Sequence, residues 1–451
     1  MAVAPAPGAT TTMRKTTRNV QHLRLEVFEE AKGPGVHHVL DSRLGSVVLN
    51  DVQNNPLQPD LQYRGFTASP LLGSPQGVAV YQNGARLNEP FGDVMQWDLM
   101  PEFAIREVQV MPGASPLYGL NALGGSLSLR MKDGFRNAGH RVEALGGSFG
   151  RHQVSAEVGQ SVAEDWALFA GVSSFGEQGF RDESPSRALH GFADLRHRTP
   201  QHELGASLTL ARSDLNGNGL APVELLESDG RDAVFTFPDN TQNDLVMVSA
   251  DLDRELSATL SVQATAYLRS LRRDTLNGDE GEFELCTEHM QSFVCEEGGE
   301  LVRSETGDNI ASMNEHDGLF NTTQTSSAGY GGSLQVTHED ALWSGDNQLI
   351  AGASYDGGHV DFLQRAELGL LTSDRSVIGQ NFFLGGDEFR TKLRSNSRML
   401  GVYASDTFSP VEELAINLAA RLNWVNVELD DREGSALDGD HSFTRVNPAV
   451  G

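Results

Sequence analysis

The sequence predicts a mostly β protein: an outer-membrane-type antiparallel β-barrel, preceded by a small domain of mixed α/β character. Three observations predict it. Apolar and polar residues alternate in run after run beyond residue 137, the links between runs sort into short and long, and a Gly-rich segment at 105–134 lies ahead of them.

The alternation is clearest at 256–268, where Leu256, Ala258, Leu260, Val262, Ala264, Ala266 and Leu268 fall on one face and Ser257, Thr259, Ser261, Gln263, Thr265 and Tyr267 on the other. Residues 414–424 repeat it, with Leu414, Ile416, Leu418, Ala420, Leu422 and Trp424 opposite Asn417, Arg421 and Asn423. Weaker versions occupy 151–162, 166–174, 187–197, 202–212, 244–253, 326–338, 347–357 and 397–408. A period of two is a strand; a helix needs about 3.6.

The links at 147–150, 163–165, 198–201, 254–255, 339–346 and 409–412 are short. Those at 175–186, 213–243, 271–325, 367–396 and 429–441 are long. Strands running up and down place all the short links on one rim and all the long ones on the other, as outer-membrane barrels do; a soluble sandwich or propeller has no reason to sort its loops this way. No run of 18 apolar residues exists, so a membrane helix is not predicted, while a β-barrel needs no such run. A net charge of −28 argues against nucleic acid as a partner.

Eleven complete strands fit between 137 and 428, and a twelfth begins near Ser442. Barrels that enclose a folded domain need about 22 strands. The first twenty residues, MAVAPAPGATTTMRKTTRNV, contain no apolar signal core. The expectation is therefore a fragment holding about half of a barrel, organised as an N-terminal, partly disordered segment (1–37), a globular domain (38–135) and a partial barrel (136–451).

The segment 105–134, IREVQVMPGASPLYGLNALGGSLSLRMKDG, joins two alternating strands through Gly113, Gly119, Gly124 and Gly125. Glycines at such density serve positive φ and close backbone approach, so the segment reads as a tight inter-strand turn.

Four elements in order, LQYRGF (61–66), VAVYQNGARLNEPFGD (78–93), WDLMPEFAIREVQVMPG (97–113) and SPLYGLNALGGSLSLRMKDG (115–134), resemble the plug domain of TonB-dependent outer-membrane receptors. Asn83 replaces the family's usual Asp, Pro112-Gly113 reverses its Gly-Pro order, and residues 1–37 show no TonB box. The resemblance implies a plug in the barrel lumen, a place in the cell outer membrane among its lipids, and import of a small scarce ligand such as a ferric siderophore. The pull would come from the TonB energy-coupling complex and the inner-membrane proton gradient. A surface-binding or signalling receptor of the same architecture and a non-functional remnant are the alternatives.

By the same resemblance Arg64 and Glu107 face the barrel wall through charge pairs and form a lock. Gly84, Gly113, Tyr118, Gly119, Gly124 and Gly125 shape the plug, and 88–97 forms an apex loop in which Phe91, Asp93 and Trp97 suit a small polar ligand. Cys286 and Cys295, the only cysteines, lie in an acidic long loop; in an oxidising exterior they form a disulfide, with free thiols or metal ligands as alternatives. Asp214, Asn216, Asn218 and Gly219 open a calcium-loop pattern whose twelfth position is Leu225 rather than Glu, so calcium competes with a plain Asn-Gly turn. The adjacent His37 and His38 lack further nearby ligands for a metal. No catalytic motif is present, so neither an enzyme nor a resident cofactor is expected.

Overall fold

The computed structural model describes residues 2–3, 11–12, 20–30, 33–113, 115–288, 290–296, 298–312, 316–343, 345–386, 389–411 and 413–451. Much of the N-terminal segment, expected to be partly disordered and to hold no TonB box, lies outside these residues. Within it, β1 (Ala2–Val3) pairs with β2 (Thr11–Thr12).

The plug is built from β3 (Gln21–Arg24), α1 (Leu25–Glu30), α2 (Val36–Arg43), β4 (Val47–Asn50), β5 (Asp60–Tyr63), β6 (Phe66–Ala68), β7 (Val78–Gln82), β8 (Ala85–Arg86), β9 (Ile105–Pro112) and β10 (Gly125–Met131). Its main sheet has the order β3-β9-β10-β7-β8, with β10 parallel to β7 and antiparallel to β9. Plug structure therefore starts ahead of residue 38, because β3 adds an edge strand to β9.

The 3.6 period of α2 places Val36, Val39 and Leu40 on one face, against Leu61, Val78, Val80, Val108, Leu127 and Leu129. The opposite sheet face is apolar too, burying Ala79, Tyr81 and Met111 with Tyr118. Gln109 and Met111, on the strand face opposite Val108 and Val110, are thus buried as well. Both faces of this sheet are covered, which alternation alone does not reveal. Asn83 (φ 46°) and Gly84 (φ 85°) form the left-handed pair that a two-residue hairpin requires. The Asn83 Oδ1 atom accepts from the Met131 amide at 2.9 Å, so this Asn serves the turn where Asp was usual.

The wall comprises β11 (Gly139–Gly146), β12 (His152–Ser161), β13 (Trp166–Glu177), β14 (Ser186–Arg198), β15 (His202–Asn216), β16 (Asp239–Glu255), β17 (Leu260–Glu280), β20 (Gly318–Leu342), β21 (Gly345–Leu371), β23 (Arg390–Val411), β24 (Leu414–Asp431) and β25 (Gly439–Val450). These pair consecutively and antiparallel, with β11 and β25 outermost, while β22 (Val377–Phe383) adds to β21. A hairpin, β18 (Phe283–Glu288) with β19 (Gln291–Glu296), rises between β17 and β20, and α3 (Val223–Ser228) lies between β15 and β16.

The faces are sorted inside out relative to a soluble protein. On β17, Leu268 is 67% exposed and its neighbour Arg269 only 7%. Leu208, Leu210, Val246, Val248, Leu334, Val402 and Leu418 likewise point outward, while Ser207, Thr209, Asn243, Ser249, Gln335 and Asn423 are buried facing inward. An apolar exterior over a polar interior is what a lipid-embedded barrel wall needs.

Two expectations are corrected. The strand read from residue 256 begins at Leu260, because the Leu256 amide bonds back to the Leu260 carbonyl at 2.8 Å and closes a turn. The long links are shorter than predicted: β20 and β21 run for 25 and 27 residues, against roughly 9–11 needed to cross a bilayer. Their polar upper halves continue the ladder into solvent, where polar composition reads as loop.

Cys286 and Cys295 form a disulfide across the β18–β19 hairpin, with 6.0 Å between their Cα atoms. Beside it Val294, Val302 and Ile310 pack on Ala366, Leu368 and Leu384, giving this external region its own small core. Opening a ring of this size removes about 2–3 kcal/mol of chain-entropy stabilisation. Cys286→Ser is expected to speed amide exchange in 283–312 while leaving the plug unchanged, as exchange mass spectrometry would show.

Candidate functional site

Among the described residues, charged groups gather where plug meets wall, and three clusters stand out. At the rim of the short turns, Glu107 on β9 bonds His22 Nε2 at 3.0 Å and lies 3.5 Å from both Arg106 and Arg130. Burial raises its pKa, but the His22 hydrogen bond and the two guanidinium charges outweigh this and hold it at about 2. All three partners are plug residues, and among the described residues Glu107 makes no direct pair with the wall. It reaches the wall through a relay. Arg106 pairs with Asp133 at 3.2 Å, Asp133 with Arg136 at 2.9 Å, and Arg136 with Glu203 of β15 at 3.0 Å. Glu203 continues to Arg196 at 3.2 Å, and Arg196 to Asp251 at 2.8 Å. These groups line a polar cavity of about 500 Å³ between plug and wall. Nearby, Lys132 pairs with Glu157 of β12 at 2.7 Å.

Arg64 does not join this network. It sits with φ 54° in the turn between β5 and β6, its side chain exposed and its amide bonded to the Ser46 carbonyl at 3.0 Å. The left-handed turn at Arg64 leaves its side chain at the surface.

The second cluster centres on Asp98, which is 1% exposed. Its Oδ2 accepts from Ser213 at 2.5 Å and Asn243 at 2.9 Å, and its carbonyl receives His190 Nε2 at 2.7 Å. Three wall strands thereby grip one short plug turn. Burial pushes the Asp98 carboxyl up, and the Ser213 and Asn243 hydrogen bonds only partly offset it.

The third cluster is the apex loop. Arg86 pairs with Asp93 at 2.7 Å, Asn88 Nδ2 donates to the Asp93 carbonyl at 3.1 Å, and the Glu89 amide bonds the Val94 carbonyl at 2.9 Å. The loop is thus closed on itself. Its tip is fixed to the wall: Glu89 pairs with Arg269 and accepts from Ser327 Oγ at 3.1 Å, while Arg269 also donates to the Leu87 carbonyl at 2.6 Å. Phe91 stacks obliquely on Phe362 of β21, with ring centroids 5.9 Å apart.

Of the residues expected to meet a ligand, Phe91 and Asp93 are partly exposed, but Trp97 is 3% exposed and donates its indole N–H to the Ala68 carbonyl at 3.0 Å. Trp97 is plug core; an aromatic near a loop carries no sign of which way it faces.

Among the shaping residues, Tyr118 stacks on Tyr81 at 5.5 Å, and burial pushes its phenol up. Gly113 has φ 73° and bonds the Gly124 carbonyl at 2.8 Å. Asp214 and Asn216 lie on β15 and both accept from the amide of Asn240 at 2.7 Å, whereas Asn218 donates to the Asp182 carbonyl at 2.8 Å. The three are not gathered around a common centre. The segment instead docks on the plug, where Asn55 donates to the Asn216 carbonyl at 2.8 Å and Asn54 to that of Gly219.

His37 is fully buried, its Nε2 2.7 Å from the Pro56 carbonyl, and burial holds its pKa down at about 3. A lowered histidine pKa stabilises the fold above the unfolded value of about 6.5, and that stability is lost as pH falls toward 3. Exchange in 36–44 is therefore expected to quicken between pH 6.5 and 4, and His37→Gln to flatten that dependence.

Glu89, Asp98, Lys132, Glu203 and Arg269 were not singled out from the sequence. One signal was available: Arg269 is a cation on the inward stripe of an otherwise uncharged alternation, where a lumenal charge needs a partner.

Comparison with known proteins agrees with this architecture. No curated protein sequence matches the chain. Among solved structures, the ferric citrate transporter FecA in the unliganded form superposes with a TM-score of 0.74 at 11% identity, over 97% of this chain and 60% of that one. The ferripyoverdine receptor of the Pseudomonas aeruginosa outer membrane gives 0.73 at 12%, over 100% and 56%, and the siderophore receptor PiuA from Acinetobacter baumannii 0.69 at 14%, over 98% and 62%. The chain thus spans 56–62% of the length of these structures. Residues 12–126 match the TonB-dependent Receptor Plug Domain, and residues 179–451 match the TonB dependent receptor-like, beta-barrel family. With a plug held against an inside-out β wall and a barrel match over more than half its length, the chain belongs to the TonB-dependent receptors of the outer membrane.

Proposed function

We propose that this protein imports a scarce nutrient, with a ferric siderophore or similar ferric chelate as the cargo class, driven by the TonB complex. The observation that carries this reading is a plug fixed to a membrane wall by buried charge and hydrogen bonds from several strands. Such a plug blocks diffusion, and moving it requires work that no nucleotide supplies outside the cell. Ferric cargo is favoured because the structural neighbours named above are receptors or transporters of ferric citrate, ferripyoverdine and siderophores. Phe91 and Asp93 are the apex residues available to a ligand, and the Glu107 relay is the lock that yields under force.

The test supplies radioiron as the citrate, a catecholate and a hydroxamate chelate to iron-limited cells lacking other receptors and expressing this protein. At least one chelate should accumulate, and a protonophore should stop accumulation while sparing surface binding. If none of the three is accumulated, the ferric reading fails. Glu107→Ala should reduce uptake about tenfold or more with binding retained, since the partly buried relay from plug to wall loses its first member. Unchanged uptake would remove Glu107 from the lock.

A further inference from the structure

We infer that Pro90 and the glycine pair Gly329 and Gly358 form a seat that positions the apex loop, and with it the plug, on the wall. Gly329 of β20 and Gly358 of β21 are direct cross-strand partners, and both are buried on the inward face. Missing side chains at two paired positions leave a notch in the inner surface. Pro90 fills it. A Cβ at Gly358 would stand 2.2 Å from Pro90 Cβ and 2.4 Å from its Cγ, whereas one at Gly329 would stand at an ordinary 3.6 Å from Cγ.

The neighbours make this a positioning device rather than a passive contact. Glu89, one residue before, is held by Arg269 of β17 and Ser327 of β20; Phe91, one residue after, meets Phe362 of β21. Three consecutive tip residues thus engage three adjacent wall strands. The loop behind them is closed by the Arg86–Asp93 pair, so lifting Pro90 from the notch displaces the segment as a unit. Anything that bears on Phe91 or Asp93 therefore acts directly on the seat. Its place in transport rests on the import reading above; the seat itself does not.

The test is amide exchange of residues 86–94 in the full chain, reconstituted in lipid. Gly358→Ala should raise exchange there about tenfold or more, as expected when a local element loses its anchoring contact. Gly329→Ala should change it less than about twofold, because its new methyl fits. Pro90→Gly should also raise exchange. In a cycle with Gly358→Ala the double variant should be no worse than the worse single, because both remove the same contact. Additive effects, or a Gly358→Ala rate within about twofold of wild type, would overturn the seat. Should Gly358→Ala disturb the barrel, seen as lost resistance to denaturation in detergent, Pro90→Gly alone decides: unchanged exchange rejects the seat. Failure of wild-type iron uptake with the exchange pattern intact would reject import and leave the seat standing.

Discussion

Glu89→Ala is expected to weaken plug seating by about 3–5 kcal/mol, the cost of leaving a buried cation without its partner. Arg269 is 5% exposed at its side chain and Glu89 7%, and both are held by further hydrogen bonds, from Ser327 to Glu89 and from Arg269 to the Leu87 carbonyl. Removing the carboxylate leaves the guanidinium on the wall with a carbonyl acceptor but no counter-charge, in a site closed to solvent. Glu89→Gln keeps the shape and one acceptor, and should cost less. The double variant Glu89→Gln with Arg269→Met should recover much of the loss, since an uncharged pair of similar volume carries little desolvation penalty. Urea-induced release of the plug, followed by protease access to 86–134, measures all three. A midpoint for Glu89→Ala equal to wild type would show that the pair carries no seating energy.

The second large effect is expected at the plug glycines, and it separates them. Gly125→Ala should destabilise the plug by about 3 kcal/mol or more, because a Cβ there would lie 2.5 Å from the Met111 carbonyl oxygen, a backbone atom fixed in the β9–β10 ladder. Gly124→Ala should behave similarly, since its Cβ would fall 2.4 Å from Phe66 Cβ, close to the backbone of β6. Gly119 is different: the nearest atom, an Arg421 nitrogen, is 3.6 Å away, and Gly119→Ala is expected to cost under about 0.5 kcal/mol. Thermal unfolding of the three variants gives the ranking directly. A large loss for Gly119→Ala would show that the site tolerates a methyl less well than its 3.6 Å clearance implies.

The strand calculus of the wall was readable because a lipid-facing strand has no choice of period. Every second residue must be apolar, and the sequence shows that at Leu256 to Leu268 even though the first of these residues turns out to close a turn. Strand ends were misjudged because polar residues that continue a ladder above the membrane look like loop; β20 and β21 are the plainest instances. The plug was legible through four ordered motifs, since left-handed turns such as Asn83-Gly84 restrict which residues can occupy them.

By itself, then, the sequence determined a β wall with an apolar outer face, a Gly-shaped domain ahead of it, and the family to which both belong. Only the tertiary structure decided which charges meet. Glu107 reaches the wall through Arg106, Asp133 and Arg136 rather than directly, Trp97 is core rather than ligand surface, and Pro90 finds a notch formed by two glycines on neighbouring strands. The physical reason is that periodicity and turn chemistry are local properties of the chain, whereas a buried ion pair or a notch depends on partners far apart in sequence. Glu89 and Arg269 are 180 residues apart, and only the register of the folded wall brings them together.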